Sequence, residues 1–207
     1  MHNRGDVDID FQNRDKALEN LPHIAASIIK HDGKITKHNT GVYFHAVPTD
    51  PITGNCSLDY EEAKRRNMYK IDFLNVGIYS MIRDETHLLE LMAMPMDWKL
   101  FEDKEFVSKL FHLNNYGELT AKLKPKSITD IAMILAMIRP GKKHLQEQCI
   151  TNGFSSIESE IWKQDSKEFG FKKAHSISYS MVVYIHANLI ITHEDTNKQQ
   201  NIEQITG

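Results

Sequence analysis

Near the start of the chain, aspartate recurs at every second position in GDVDIDF (5–11), where Asp6, Asp8 and Asp10 alternate with β-branched residues. Further along, YKIDFLNVG (69–77) sets Asp72 among apolar neighbours. Residues two apart in a strand share a face, with Cα atoms about 6.5–7 Å apart. Asp8 and Asp10 therefore point the same way, and Asp72 on a neighbouring strand completes an acidic set. Three carboxylates on one sheet face repel unless a cation compensates them, because an unpaired buried charge costs several kcal/mol. Ligation by oxygen alone suits Mg²⁺ or Mn²⁺. Two such ions about 3.5–4 Å apart activate an attacking oxygen and stabilise a leaving one in displacement at phosphorus. The same alternation also describes a strand with one solvated face, and on these residues alone that is the more ordinary reading.

The elements that must position these groups come next. With 207 residues, 41% hydrophobic and 26% charged, the chain can bury a core as one domain or two small ones. A formal net charge of -3 announces no nucleic-acid partner globally, so such a partner would be met by local basic patches. Cys56 and Cys149 stand far apart without CxxC or His spacing, which speaks against a disulfide framework or a zinc site and for a reducing compartment. The start MHNRGDVDID is too polar and acidic for a signal peptide, and no apolar run of about 18 residues offers a membrane span, so no membrane partner and a cytoplasmic location are expected.

The pattern predicts a strand over 7–11, then an amphipathic helix over 14–30 with Leu18, Leu21, Ile24, Ala25 and Ile28 at helical spacing, closed by the turn HDGK. TGVYFHAVP (40–48) is β-rich, Pro48 to Gly54 is a loop, and MYKIDFLNVGIYSMI (68–82) is a strand running into a helix. Helices are expected over 103–112, 114–123 and 127–138, the last ended by Pro140-Gly141, then near 155–164 and over 175–192. The run MAMPM (92–96) reads as core or turn packing, and the polar tail HEDTNKQQNIEQITG (193–207) as frayed. Strands early and helices later give an α/β (α+β) fold, with a small mixed-sheet region over 1–95, a helical extension over 96–192 and a tail over 193–207.

Six segments occur in the order DVDIDF (6–11), KHNTGVYFHAVPT (37–49), KIDFLNV (70–76), KLFHLNN (109–115), LAMIRPGK (135–142) and FGFKKAHSISYSMVVY (169–184). In this order they resemble the alpha subunit of bacterial replicative DNA polymerase III, the C-family polymerases, whose palm carries DFDVDF and KFDFLGL strands. The resemblance implies a nucleotidyltransferase-like palm with a fingers-like helical extension. It also implies that Asp8, Asp10 and Asp72 are catalytic and hold two Mg²⁺ ions, with Mn²⁺ as a substitute. By the same resemblance Lys70 meets the triphosphate of a dNTP, and Lys173, His175 and Tyr179 lie near the incoming nucleotide and template. Arg139, beside Pro140-Gly141, makes a cationic corner suited to phosphate, although a cation at a helix C-terminus is favourable for dipole reasons alone. Lys70 can also be read as a lysine snorkelling at a strand edge, SHSISYSMVVY as the buried face of a helix, and His38 as either a phosphate contact or a turn cap.

Lys64, Arg65 and Arg66 in KRR, Lys122 and Lys124 in KLKPK, and Lys142 and Lys143 in RPGKK would track the backbone of a primer-template DNA, or be ordinary solvated faces. The Gly-Ser element that the family places before its first aspartates is missing, as are the PHP domain and the clamp- and template-binding modules. LQEQCI (145–150) follows RPGK much sooner than the family's YQEQVM follows RPGP. The resemblance thus implies a reduced or split polymerase, of a kind that a compact phage genome would encode, with a second polypeptide supplying the missing palm portion. The alternatives are an inactive DNA-binding or assembly subunit and a metal-dependent nuclease on the same carboxylates.

Overall fold

The computed structural model describes residues 7–30, 32–163 and 172–206, with side chains described to His193. Asp6, His31, Phe169, Gly170 and Phe171, which belong to segments quoted above, lie outside the described residues. The chain separates into two compact units, residues 1–81 and 82–207, a division that falls earlier than the expected boundary at 95.

In the first unit the alternating VDIDF segment forms β1 (Val7–Phe11), as its β-branched content favours. Asn13 caps the short helix α1 (Arg14–Leu18) by accepting a hydrogen bond from the Lys16 amide at 3.0 Å. The expected helix over 14–30 is therefore corrected: it stops at Leu18, and β2 (Ile24–Ile29) follows. Pro22 is the physical reason for the break, since it has no N–H to donate and its ring clashes with the carbonyl four residues back. As a strand, the segment IAASII buries Ala25, Ala26 and Ser27 together, which one stripe of a helix would not do. The chain continues through β3 (Ile35–Tyr43), α2 (Tyr60–Arg65), β4 (Ile71–Asn75) and a 3₁₀ turn over Gly77–Met81.

The strands form one mixed sheet in the order β1-β4-β3-β2. β1 runs parallel to β4, while β3 is antiparallel to both β4 and β2. One face carries Phe11, Val42, Ile71 and Phe73 against Leu18 of α1, with the Phe11 and Phe73 rings stacked at 4.6 Å. On the opposite face Ala63 of α2 packs with Ala26, Tyr43 and Cys56 over β2 and β3. The fold is thus α+β at the level the sequence indicated, with the β-rich first part followed by helices.

The second unit is helical. It contains α3 (Glu85–Ala93), a 3₁₀ turn over Trp98–Glu102, α4 (Lys104–Ser108), α5 (Gly117–Leu123) and α6 (Ile128–Met137). A 3₁₀ segment over Pro140–Leu145, α7 (Gln146–Asn152), a further turn over Phe154–Ser156, α8 (Glu158–Ile161) and α9 (Lys173–Thr206) complete it. Asp103 and Ser127 cap α4 and α6 through their side chains. Residues Ile131 to Met137 of α6 are all buried, and α6 packs along α9. Asn188 of α9 donates to the carbonyls of Leu91 at 2.8 Å and Met94 at 3.3 Å, and the Tyr184 hydroxyl also donates to Met94, so α9 closes the C-terminal end of α3.

One sequence alternative is decided here and one expectation changes. Of the core and turn readings of MAMPM the turn holds: Met92 is exposed near the end of α3, and Met94 and Met96 are half-buried in the connection that follows. The helix expected to end at 192 runs to Thr206 where a frayed tail was expected, because no Pro or Gly interrupts α9 between Lys173 and Thr206. Cys56 and Cys149 are both buried and unbonded to one another. Among the described residues, no helix is long and apolar enough to cross a membrane.

Candidate functional site

The β1/β4 register sets Asp8 directly opposite Asp72 and Asp10 opposite Leu74. Side chains of paired residues share a face, so Asp8, Asp10 and Asp72 lie on one side of the sheet, and Lys70, two before Asp72, is in phase with them. Asp8 is exposed and Asp10 half-buried, whereas Asp72 is 8% exposed.

What surrounds Asp72 is built in detail. Lys70 Nζ forms an ion pair with Asp72 Oδ2, and the two side chains are only 7% and 11% exposed. The Thr40 hydroxyl donates to Asp72 Oδ1 at 2.7 Å. The Lys70 ammonium also lies 5.5 Å from the centre of the Tyr60 ring, at the start of α2. Gly41, the β3 partner of Asp72, has no side chain for a reason: a Cβ there would stand 2.4 Å from Lys70 Cδ and 2.9 Å from Lys70 Cγ. The lysine stem passes over the glycine. Lys70 therefore neither points to open solvent nor snorkels at a strand edge.

His38 takes the turn-capping option. The register between β2 and β3 shifts between Ala25 and Ser27, and His38 to Gly41 fill the irregular stretch of β3. The His38 Nδ1 accepts from the Gly41 amide at 2.9 Å and the Thr40 amide at 3.2 Å. A nitrogen that accepts two amides carries no proton, so its 3.7 Å approach to Asp72 Oδ1 is that of a neutral ring rather than an ion pair. Asp10 is oriented by Tyr79, whose hydroxyl donates to Asp10 Oδ2 at 3.1 Å. Burial, and then the neighbouring Asp10 charge, push the Tyr79 phenol up to about 12.

The expected Mg²⁺ set can be tested against these partners. The donor chemistry and the shared face fit a hard divalent ion. The side-chain arrangement does not: Asp72 is engaged by Lys70 and Thr40 and Asp10 by Tyr79, and among the described residues no three His, Cys, Asp or Glu side chains gather to hold a metal ion.

The second unit brings Arg139, His175 and Tyr179 together with His112, which the sequence reading passed over inside KLFHLNN. The Tyr179 ring lies 4.7 Å from the His112 ring and 4.7 Å from the His175 ring, edge-on to both. Burial, then the charges of Arg139 and His175, lower His112 to about 4, so it is neutral at ordinary pH. Burial also lowers Arg139 from its usual range, while Tyr116 and Tyr179 act to raise it. The backbone at His112 has a φ of 60°, uncommon for a non-glycine residue, and its Nε2 is buried without a hydrogen-bond partner. Lys173 stays apart from this group in character: it is exposed, with its ammonium 5.8 Å from the centre of the Trp162 ring.

The basic clusters divide. Lys64, Arg65 and Arg66 are exposed, but Arg65 and Arg66 both donate to Glu62 at 2.8 Å, and these bonds hold the Glu62 carboxyl below its usual range. Lys122 and Lys143 are exposed, and Lys124 pairs with Glu102 at 2.8 Å. Lys142 is a correction: it is 5% exposed and its ammonium donates to the carbonyl of Glu160 in α8 at 2.9 Å. A phosphate could reach it only after that bond broke, so it leaves the set of solvated cations.

Thr40, Gly41, Tyr60 and Tyr79 also escaped the sequence reading as site residues. Thr40 and Gly41 sit inside the quoted KHNTG stretch, and Tyr79 lies within MYKIDFLNVGIYSMI, but nothing in spacing tells which side chain reaches a carboxylate. No family model, curated protein or solved structure matches the chain.

Proposed function

We propose that the chain is the palm and fingers portion of a DNA-directed DNA polymerase of the C-family type, joining a dNTP to a primer 3′-OH on template DNA with a second polypeptide. The observation that carries this reading is the parallel register that puts Asp8 across from Asp72 with Asp10 on the same face. Two alternating carboxylates on one strand and a third on its neighbour are what nucleotidyl transfer at phosphorus requires.

Only with the Lys70–Asp72 pair opened would Asp8, Asp10 and Asp72 be free to hold Mg²⁺, which would then supply Lewis-acid stabilisation of the phosphoryl oxygens. The chain's own contributions are these. Thr40 fixes the orientation of Asp72, and Tyr79 that of Asp10. Arg139 and the exposed Lys122, Lys143 and Lys173 offer positive charge to phosphates. Primer extension with Mg²⁺, dNTPs and candidate partner chains tests the proposal. Asp8→Ala and Asp72→Ala are each expected to abolish it, and extension that survives both substitutions removes the reading.

One observation favours a second reading, a DNA-binding or assembly subunit without turnover: the Asp72 carboxylate is already satisfied by Lys70. That reading expects salt-sensitive retention of DNA in a gel shift and no incorporation with any partner. DNA degradation with Mg²⁺ and no dNTP would instead indicate a nuclease.

A further inference from the structure

The acidic face has the strand register of a divalent-cation site and lacks the converged side chains of one. The cause lies in Lys70. A carboxylate as buried as Asp72 needs a compensating positive charge, and the chain supplies it from two residues away on the same strand. The arrangement is constructed rather than incidental. Gly41 leaves open the space that the lysine stem occupies, with a Cβ at that position falling 2.4 Å from Lys70 Cδ. Tyr60 offers its ring to the ammonium at 5.5 Å, and the pair is almost wholly withdrawn from solvent. His38 adds no positive charge, because its Nδ1 accepts backbone amides.

We infer that the Lys70 ammonium is an internal cation standing where a divalent ion would otherwise sit against Asp72, so that the lysine pair and a bound divalent ion exclude one another at this carboxylate. Lys70 acts on Asp72 as a positioning and charge-compensating residue. The inference concerns the face used in the proposed function but rests on the ion pair, so experiments without DNA or nucleotide decide it whether or not the chain extends primers.

The test is Mn²⁺ binding, followed by electron paramagnetic resonance on the full chain, with thermal melts in EDTA and in Mg²⁺ beside it. An ion that can bind only when the internal pair is open is weakened by the fraction of chains in which it is open, about tenfold if the pair is closed in roughly nine chains of ten. Lys70→Met is therefore expected to bind Mn²⁺ at least about tenfold tighter than the parent chain. Its melting temperature should fall in EDTA and recover as Mg²⁺ is added, since a ligand that binds only the folded state stabilises it. The parent chain should show little response. Lys70→Met/Asp72→Asn should lose the gain, which places the new affinity at Asp72. Should Lys70→Met fail to fold, Gly41→Ala provides the same reading with every charge retained, because the added methyl group displaces the lysine stem. Unchanged Mn²⁺ affinity in the folded variant, or a gain that persists without the Asp72 carboxylate, overturns the inference.

Discussion

In the sheet unit, a buried acid is answered by a buried base: Asp72 meets Lys70, with Thr40 on its other oxygen. In the helical unit, half-buried bases are surrounded by rings. His112 and His175 flank Tyr179, and His112 is neutral because burial and the nearby Arg139 disfavour its charged form. His186 is likewise lowered by burial and accepts the Phe111 amide at 3.1 Å. The first region is electrostatically closed within itself, and its local charge balance is set by the fold. The second holds His112 uncharged beside Arg139, whose own charged form burial disfavours. Removing one member of a closed pair costs far more than altering a group that folding has already neutralised.

The largest expected effect comes from opening the pair. Asp72→Asn strands the Lys70 ammonium in a site with 7% side-chain exposure, and the cost is about 3–5 kcal/mol of folding stability. Adding Lys70→Met should restore most of that, since replacing both partners removes the buried charge; denaturant melts of the single and double variants measure it. An additive double variant would break the comparison.

His112→Asn gives the intermediate effect, and Asn is chosen because it tolerates the left-handed backbone at this position. The folded imidazole titrates near 4 against an ordinary 6.5. Above 6.5 it is neutral in both states. Below that the unfolded chain takes up a proton that the folded chain refuses until about 4, so stability falls with pH across this window by at most about 3 kcal/mol. The variant should show a shallower fall between pH 6.5 and 4 in melts at stepped pH, and an unaltered slope would mean that the charged form is not disfavoured there.

Tyr79→Phe should have the smallest effect, about 0.5–1.5 kcal/mol for one hydrogen bond to Asp10. The folded phenol is raised from 10.0 to about 12, so its contribution is whole below pH 10 and disappears as pH rises through about 12. The difference between parent and variant should accordingly narrow in melts above pH 10.

Much of the architecture was legible in the chain. VDIDF and KIDFLN read as strands because apolar residues flank each aspartate at period two, and Pro140 marks the end of the helix near 127–138, whereas the helix expected over 103–112 stops at Ser108 and the one expected over 114–123 starts at Gly117. The segment over 14–30 misled because Leu18, Leu21, Ile24, Ala25 and Ile28 fit a helical stripe, while Pro22 and the pairing of β2 with β3 decided otherwise. That Asp8 and Asp10 share a face followed from period two alone, whereas Asp72 joins them through the β1/β4 register. Their partners did not, since Thr40 and Tyr60 reach the site through tertiary packing. Lys142 shows a further limit: a lysine in a basic run carries no local sign that its ammonium will end on the carbonyl of Glu160. His112 likewise joins Arg139 and His175 only when α9 packs beside α6.

Gly41 bears on redesign of this fold. Because its Cα hydrogen faces the aliphatic stem of residue 70, a change at either position alters the packing of the other. A library that admits a side chain at 41 must let residue 70 shift or shorten in the same clone, and where the lysine is lost it must answer the carboxylate at 72 by some other means. A saturation screen of the three codons should therefore return coupled triplets rather than independent preferences.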